Sequence, residues 1–109
     1  MATIEDFLKL DIRVGIVVSA KVHPTAKKPA YQLEIDFGPL GIKKSSAQIT
    51  KLYQPDELLQ KQVVAVVNFP PRKIGGFVSE VLVLGAVRDD GEVILLTPER
   101  SATPGDPIA

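Results

Sequence analysis

From Asp11 onward apolar and polar positions alternate: Ile12, Val14, Ile16 and Val18 are separated by Arg13, Gly15 and Val17. A two-residue period puts alternate side chains on one face and predicts a half-buried β-strand. Gly15 predicts a bend or bulge, of the kind a strand needs when a sheet curls. Tyr31, Leu33, Ile35 and Phe37 alternate with Gln32, Glu34 and Asp36 and predict a second strand. Between the two lies His23-Pro24-Thr25-Ala26-Lys27-Lys28-Pro29, a polar connection with two prolines. Gly38-Pro39-Leu40-Gly41 reads as a turn. Residues 42–50 follow as a third strand with Lys43 and Lys44 at its start. Residues 62–69, 78–87 and 93–97 give three more apolar runs, the last two joined by the turn Asp89-Asp90-Gly91-Glu92. Residues 98–107 read as loop.

Two segments carry a helical pattern instead. Ile4, Phe7, Leu8 and Leu10 line one side of a helix that starts after Thr3 and runs to about residue 9. Thr3 with Asp6 is a loose capping box, since Asp stands where Glu is usual. So short a helix is unstable alone and must dock on the body of the protein or on a partner. Tyr53-Gln54-Pro55-Asp56-Glu57-Leu58-Leu59 predicts a second short helix, because proline and two acids suit a helix N-terminus. Five or six short strands, a short N-terminal helix and one inter-strand helix predict an all-β domain over residues 1–109. The OB-type Greek-key barrel places a helix between its third and fourth strands. A β-sandwich is the alternative; the helix that interrupts the strand series counts against it.

The most informative stretch runs from Val63 to Glu80. An apolar strand ends at Asn68-Phe69-Pro70-Pro71, Arg72 and Lys73 follow, and then come Ile74, Gly75, Gly76, Phe77, Val78, Ser79 and Glu80. Two prolines cannot continue an interior strand. Two glycines allow a tight turn or the close approach of another chain. The segment reads as a shaped loop on a rigid scaffold, where binding residues concentrate.

Composition narrows the function. The chain has 109 residues and no cysteine, which excludes disulfides and thiolate metal sites. His23 is the only histidine, no acidic cluster has calcium-loop spacing, and no phosphate-loop or dinucleotide fingerprint occurs. No metal, cofactor or catalytic constellation is therefore expected, and binding must carry the function. No apolar run approaches the roughly 18 residues that span a bilayer. The N-terminus also lacks a signal-peptide pattern, so membrane insertion is not expected and a cytoplasmic setting is. Net charge is zero, yet residues 21–73 hold nine cations against four anions, and the remainder holds the opposite imbalance. Gathered on one face, such cations would meet a phosphate backbone or an acidic peptide. Spread out, they would be ordinary solvated lysines.

Asp11-Ile12-Arg13-Val14-Gly15, His23-Pro24, Asn68-Phe69-Pro70-Pro71-Arg72-Lys73 and Ser79-Glu80, in that order, resemble the tRNA-binding-domain family. Lys28-Pro29-Ala30-Tyr31, Ile35-Asp36-Phe37-Gly38, residues 43–50 and residues 76–85 are similar to its CsaA branch. The resemblance covers nearly the whole chain. It implies an OB-fold barrel and a homodimer with terminal segments at the interface. For the CsaA branch it implies a chaperone-like role in protein export, with unfolded or precursor polypeptides and the export ATPase as partners. For the wider family it implies binding to structured tRNA. Members that bind nucleic acid usually carry glycine after a serine in the third-strand region, where this chain has Ser45-Ser46-Ala47. They also carry Ser-Glu/Gln-Gly-Met where it has Ser79-Glu80-Val81-Leu82. Both departures favour the peptide-binding branch.

Two residue sets follow. For polypeptide, Phe69, Ile74, Phe77 and Val78 around Gly75-Gly76 would form an apolar groove with an adaptable edge. For RNA, Lys43, Lys44, Arg72 and Lys73 would contact phosphates, while Ser45, Ser46, Asn68, Ser79 and Glu80 would add hydrogen bonds. Core packing is the competing role for the two phenylalanines, and turn stabilisation for Asn68 and Ser79.

Overall fold

A computed structural model describes residues 1–109. In chain order it begins with helix α1 (Ile4–Leu8) and strands β1 (Ile12–Val22), β2 (Tyr31–Asp36) and β3 (Ile42–Ala47). Helix α2 (Pro55–Leu58) leads to β4 (Gln62–Val66), β5 (Arg72–Ile74) and β6 (Phe77–Ser79). Three short strands finish it: β7 (Leu82–Val83), β8 (Gly85–Val87) and β9 (Val93–Leu95). An antiparallel sheet in the order β3-β2-β1-β4-β7 forms the body, and β5-β6 and β8-β9 are separate hairpins. This is the all-β OB barrel with its two short helices, as the pattern of strands predicts.

The alternation of Tyr31–Phe37 points where its period says. That of β1 does not hold throughout: the register shift between Val17 and Ser19 interrupts it, and Val17 enters the core while Ile16 is half-buried and Val18 is exposed. Val17, Leu33, Ile35, Phe37, Leu58, Val63 and Ala65 are all fully buried in one cluster. Leu58 is the contribution of α2, which presents a single side chain to the core. A second, smaller cluster of Ile12, Val64 and Val66 lies apart from the main core, with Phe7 of α1 and Leu84 against it. The Thr3–Asp6 capping box is complete, so aspartate performs the role normally given to glutamate.

Side chains close the barrel between its end strands. The Ser45 hydroxyl donates to the Val81 carbonyl at 3.0 Å. The Lys44 N–H donates to Glu80 Oε1 at 3.0 Å, and the Glu80 N–H returns a bond to the Lys44 carbonyl at 2.7 Å. The Ser46 N–H donates to Ser79 Oγ at 3.0 Å. Groups on the free edge of β3 that would otherwise seek water or another chain are thereby paired.

Several local expectations need correction. The run 78–87 is not one strand: it breaks into β6, β7 and β8, because Ser79-Glu80-Val81 turns aside to bond β3. The third and fourth strands stop early, at Ala47 and Val66. The bulge in β1 falls between Val17 and Ser19 and not at Gly15. Gly15 serves packing instead: a Cβ there would stand 2.5 Å from Ile35 Cγ2 and 2.7 Å from the Phe37 ring. The tail is also more than loop. Only the second half of β1, from Ile16, pairs with β2, leaving its first half with an open edge. Residues 105–108 fill that edge through Val14 N–H to Asp106 O (3.0 Å) and Ile108 N–H to Ile12 O (2.8 Å). No helix is long and apolar enough to cross a membrane.

Candidate binding cleft

The proline-glycine segment is a β-hairpin, not an irregular loop. Arg72, Lys73 and Ile74 pair with Ser79, Val78 and Phe77, and Gly75-Gly76 make the turn. Both glycines have positive φ, +56° and +82°, as the two-residue type I′ turn requires. The pairing assigns faces. Arg72, Ile74, Phe77 and Ser79 share the face toward β3, while Lys73 and Val78 share the other, exposed one.

Between this hairpin and the β1–β2 loop opens a cleft of about 580 Å³. Ala47, Ile49, Val83, Val93 and Leu95, buried or half-buried, make its depth, with the half-exposed Leu82 nearer solvent. Four exposed cations stand around it: Lys27 and Lys28 from the loop, Arg72 and Lys73 from the hairpin. No aspartate or glutamate lines it. A smaller cleft of about 160 Å³ adjoins it, walled by Phe69, Pro70, Ser79 and Glu80. Ser46, Arg72, Ile74 and Leu82 belong to both.

The cations are also free of internal partners. Lys9, Arg13, Arg88 and Arg100, the four outside residues 21–73, each pair with a nearby carboxylate. None of the nine inside that span has a carboxylate within 4.0 Å. Four of these nine unpaired cations are gathered at the cleft, and the other five lie elsewhere on the surface.

The expected site residues separate into groups. Of the polypeptide set, Ile74 and Gly75 line the larger cleft and Phe69 the smaller. Gly76 is at the hairpin tip with open space around it, and Val78 is on the outer face. Phe77 is half-buried toward β3, its ring edge-on to His23 at 5.6 Å and 5.6 Å below the Lys44 ammonium. Of the RNA set, Arg72, Lys73 and Ser46 line the larger cleft, and Ser79 and Glu80 the smaller. Lys43 and Lys44 lie on opposite faces of β3 and line neither. Ser45 is only 1% exposed with its hydroxyl spent on Val81, so it closes the barrel and offers nothing to a ligand. Asn68 is committed to the N-terminal segment: its amide accepts from Asp11 N–H and donates to Lys9 O, each at 2.9 Å.

The apolar depth of the cleft comes from residues the alternation alone does not single out. Ala47, Ile49, Val83 and Val93 read as ordinary core positions. Only the early end of β3 and the break after Ser79 leave the barrel open beside them. The cationic Lys27-Lys28 pair in a two-proline loop was the available signal for the opposite wall.

The structure is thus a small OB barrel with an apolar cleft edged by unpaired cations. The match to the tRNA binding domain family runs over residues 12–107, and the chain belongs to that family. Its structure superposes on the CsaA chaperone protein of Picrophilus torridus with a TM-score of 0.94 and 56% identity, covering 100% of both chains. It superposes on chaperone CsaA of Bacillus anthracis with a TM-score of 0.92 and 54% identity, over 100% of this chain and 99% of that one. Methionine–tRNA ligase of Parabacteroides distasonis is 41% identical over 104 residues, 95% of this chain. The chain spans 15% of that ligase's length, so the similarity concerns one segment of a much longer enzyme.

Proposed function

We propose that this protein is a chaperone-like factor of the CsaA type that holds unfolded or precursor polypeptide at the larger cleft without chemical change. The observation that carries the reading is the cleft's apolar depth, about 580 Å³ walled by Val, Ile, Leu and Ala and reached through a glycine-tipped hairpin. An extended chain can place an aliphatic side chain there, and burial of about 100 Å² of apolar surface is worth roughly 2–3 kcal/mol. Reduced, carboxymethylated α-lactalbumin is a suitable probe because it cannot refold. Leu82, 48% exposed and lining both clefts, can be changed to Ser with little risk to the core. Leu82→Ser should weaken probe binding severalfold; wild-type affinity in the folded variant would refute the cleft as the polypeptide site.

A second reading, tRNA binding, is favoured by a different observation. Four unpaired cations with no carboxylate among them suit a phosphate backbone better than a purely apolar chain does. Family membership supports it equally. Titration of the α-lactalbumin probe and bulk tRNA at two salt concentrations separates the readings.

The homodimer belongs to the same proposal. Helix α1 leaves Ile4 65% and Leu8 68% exposed, more apolar surface than so short a helix normally shows to water. A second copy of the chain would cover it, and a monomeric mass at micromolar concentration would count against this. Contact with the export ATPase in the cytoplasm is the last part of the proposal, supported by the CsaA resemblance, and a co-sedimentation assay with the purified ATPase tests it.

A further inference from the structure

We infer that His23 and Thr25 form a clasp that holds the two cation-bearing walls of the cleft at a fixed span. His23 thus acts as a positioning residue for a ligand it does not touch. The inference rests on the cleft being the binding site. His23 is 4% exposed, lies at the start of the β1–β2 loop and is absent from the cleft lining. Its Nε2 is 2.7 Å from the Ile74 carbonyl, an atom that can only accept, so Nε2 carries the proton. Its Nδ1 then accepts, at 3.4 Å, from the Thr25 N–H. Both ring nitrogens are spent on a neutral imidazole in one tautomer.

Thr25 completes the link. Its hydroxyl donates to the Gly75 carbonyl, so two side chains of the loop hold two successive carbonyls of the hairpin. Gly75 is pressed against both. A Cβ there would meet Thr25 O at 2.7 Å, Thr25 Oγ1 at 2.8 Å and His23 Cε1 at 2.9 Å, at a φ of +56°. The Phe77 ring packs edge-on with the imidazole, their planes 67° apart. All four cleft cations ride on the two segments so joined, Lys27 and Lys28 just beyond Thr25, Arg72 and Lys73 just before Ile74. Hairpin β5-β6 is not part of the main sheet, so these bonds, with those of Ser79 and Glu80 to β3, set its position.

The test uses the full chain. His23→Leu removes both ring bonds, Thr25→Val removes the hydroxyl from an exposed position, and His23→Gln keeps a donor where Nε2 stood. Amide hydrogen exchange should accelerate about tenfold at residues 74–78 in His23→Leu and Thr25→Val, as expected for the loss of one or two hydrogen bonds, and stay unchanged in β4. His23→Gln should restore slow exchange, and the wild-type imidazole 15N shifts should show the Nε2–H tautomer. Release of the α-lactalbumin probe should quicken with exchange in the same variants. Unchanged hairpin exchange in both His23→Leu and Thr25→Val overturns the clasp. So does acceleration spread equally over β4, which would mark general destabilisation. If His23→Leu does not fold, Thr25→Val decides alone. Failure of wild type to bind the probe would remove the cleft reading while leaving the exchange result to judge the clasp.

Discussion

The cations around the cleft allow a quantitative test of tRNA binding. Each phosphate neutralised by Lys or Arg releases condensed counterions, so log affinity falls against log salt with a slope of about 0.7–0.9 per contact. Lys27, Lys28, Arg72 and Lys73 line the cleft without an internal partner, so each is free to make one contact. Four contacts predict a loss of about 50- to 150-fold in affinity between about 50 and 200 mM salt. Changing Arg72 and Lys73 together to Gln leaves two contacts, and the loss over the same interval should shrink to about 7- to 12-fold. Filter binding of bulk tRNA over a salt series measures both slopes. The control removes Lys51 and Lys61, which carry the same charge but do not line the cleft, and should leave the slope near wild type. An equal slope in wild type and Arg72→Gln/Lys73→Gln would refute phosphate contact at the cleft. Equal effects from the cleft pair and the control pair would reduce it to net charge. Polypeptide held by apolar burial should show little salt dependence in either protein.

Gly15→Ala should destabilise the fold by about 1–3 kcal/mol through overpacking against Ile35 and Phe37, seen as a lower urea midpoint; an unchanged midpoint would contradict the packing assigned to Gly15. Ser45→Ala strands the Val81 carbonyl at the barrel's closure and should cost about 1–3 kcal/mol in the same assay. Asn68→Ala releases both bonds to the N-terminal segment, so residues 1–11 should become protease-sensitive while the urea midpoint moves by only about 1–2 kcal/mol. Gly75→Ala forces a side chain into a left-handed φ and against Thr25, and hairpin amides should exchange faster without a matching change in β4.

What the sequence made legible follows its periods. The two-residue alternation of Tyr31–Phe37 places Leu33, Ile35 and Phe37 in the core, and the Pro55-Asp56-Glu57 start places α2. The Pro-Pro and Gly-Gly pairs mark the hairpin segment that lines the clefts, because prolines and glycines constrain the backbone locally. Ordered tail residues are a different matter. No feature of Gly105-Asp106-Pro107 says that β1 will leave an edge for it, since that follows from where β2 begins to pair. The fate of Ser45 and Asn68 was equally hidden. A short polar side chain reads the same in sequence whether it faces a ligand or a stranded backbone group, and only the fold decides.

That ambiguity bears on how one barrel could be adapted to either of the two proposed ligands. Ser79 and Glu80 each place a side-chain acceptor where a neighbouring strand would have placed a carbonyl, on the N–H groups of Ser46 and Lys44. The barrel is thereby closed without a full strand ladder between β3 and β6, and the hairpin remains a separate two-stranded unit. A hairpin tied by side chains can change its face or its tip without disturbing the core ladder that sets stability. Arg72 and Ile74 sit on the hairpin face that both clefts share, one charged and one apolar. Exchanging residues at those two positions would shift the site between phosphate and aliphatic side chain while Val17, Leu33, Phe37 and Val63 stay as they are. Grafting is the direct check: Ile74→Lys should raise tRNA affinity and lower polypeptide affinity at an unchanged urea midpoint, and a midpoint that falls with either affinity would show the hairpin and core to be one unit after all.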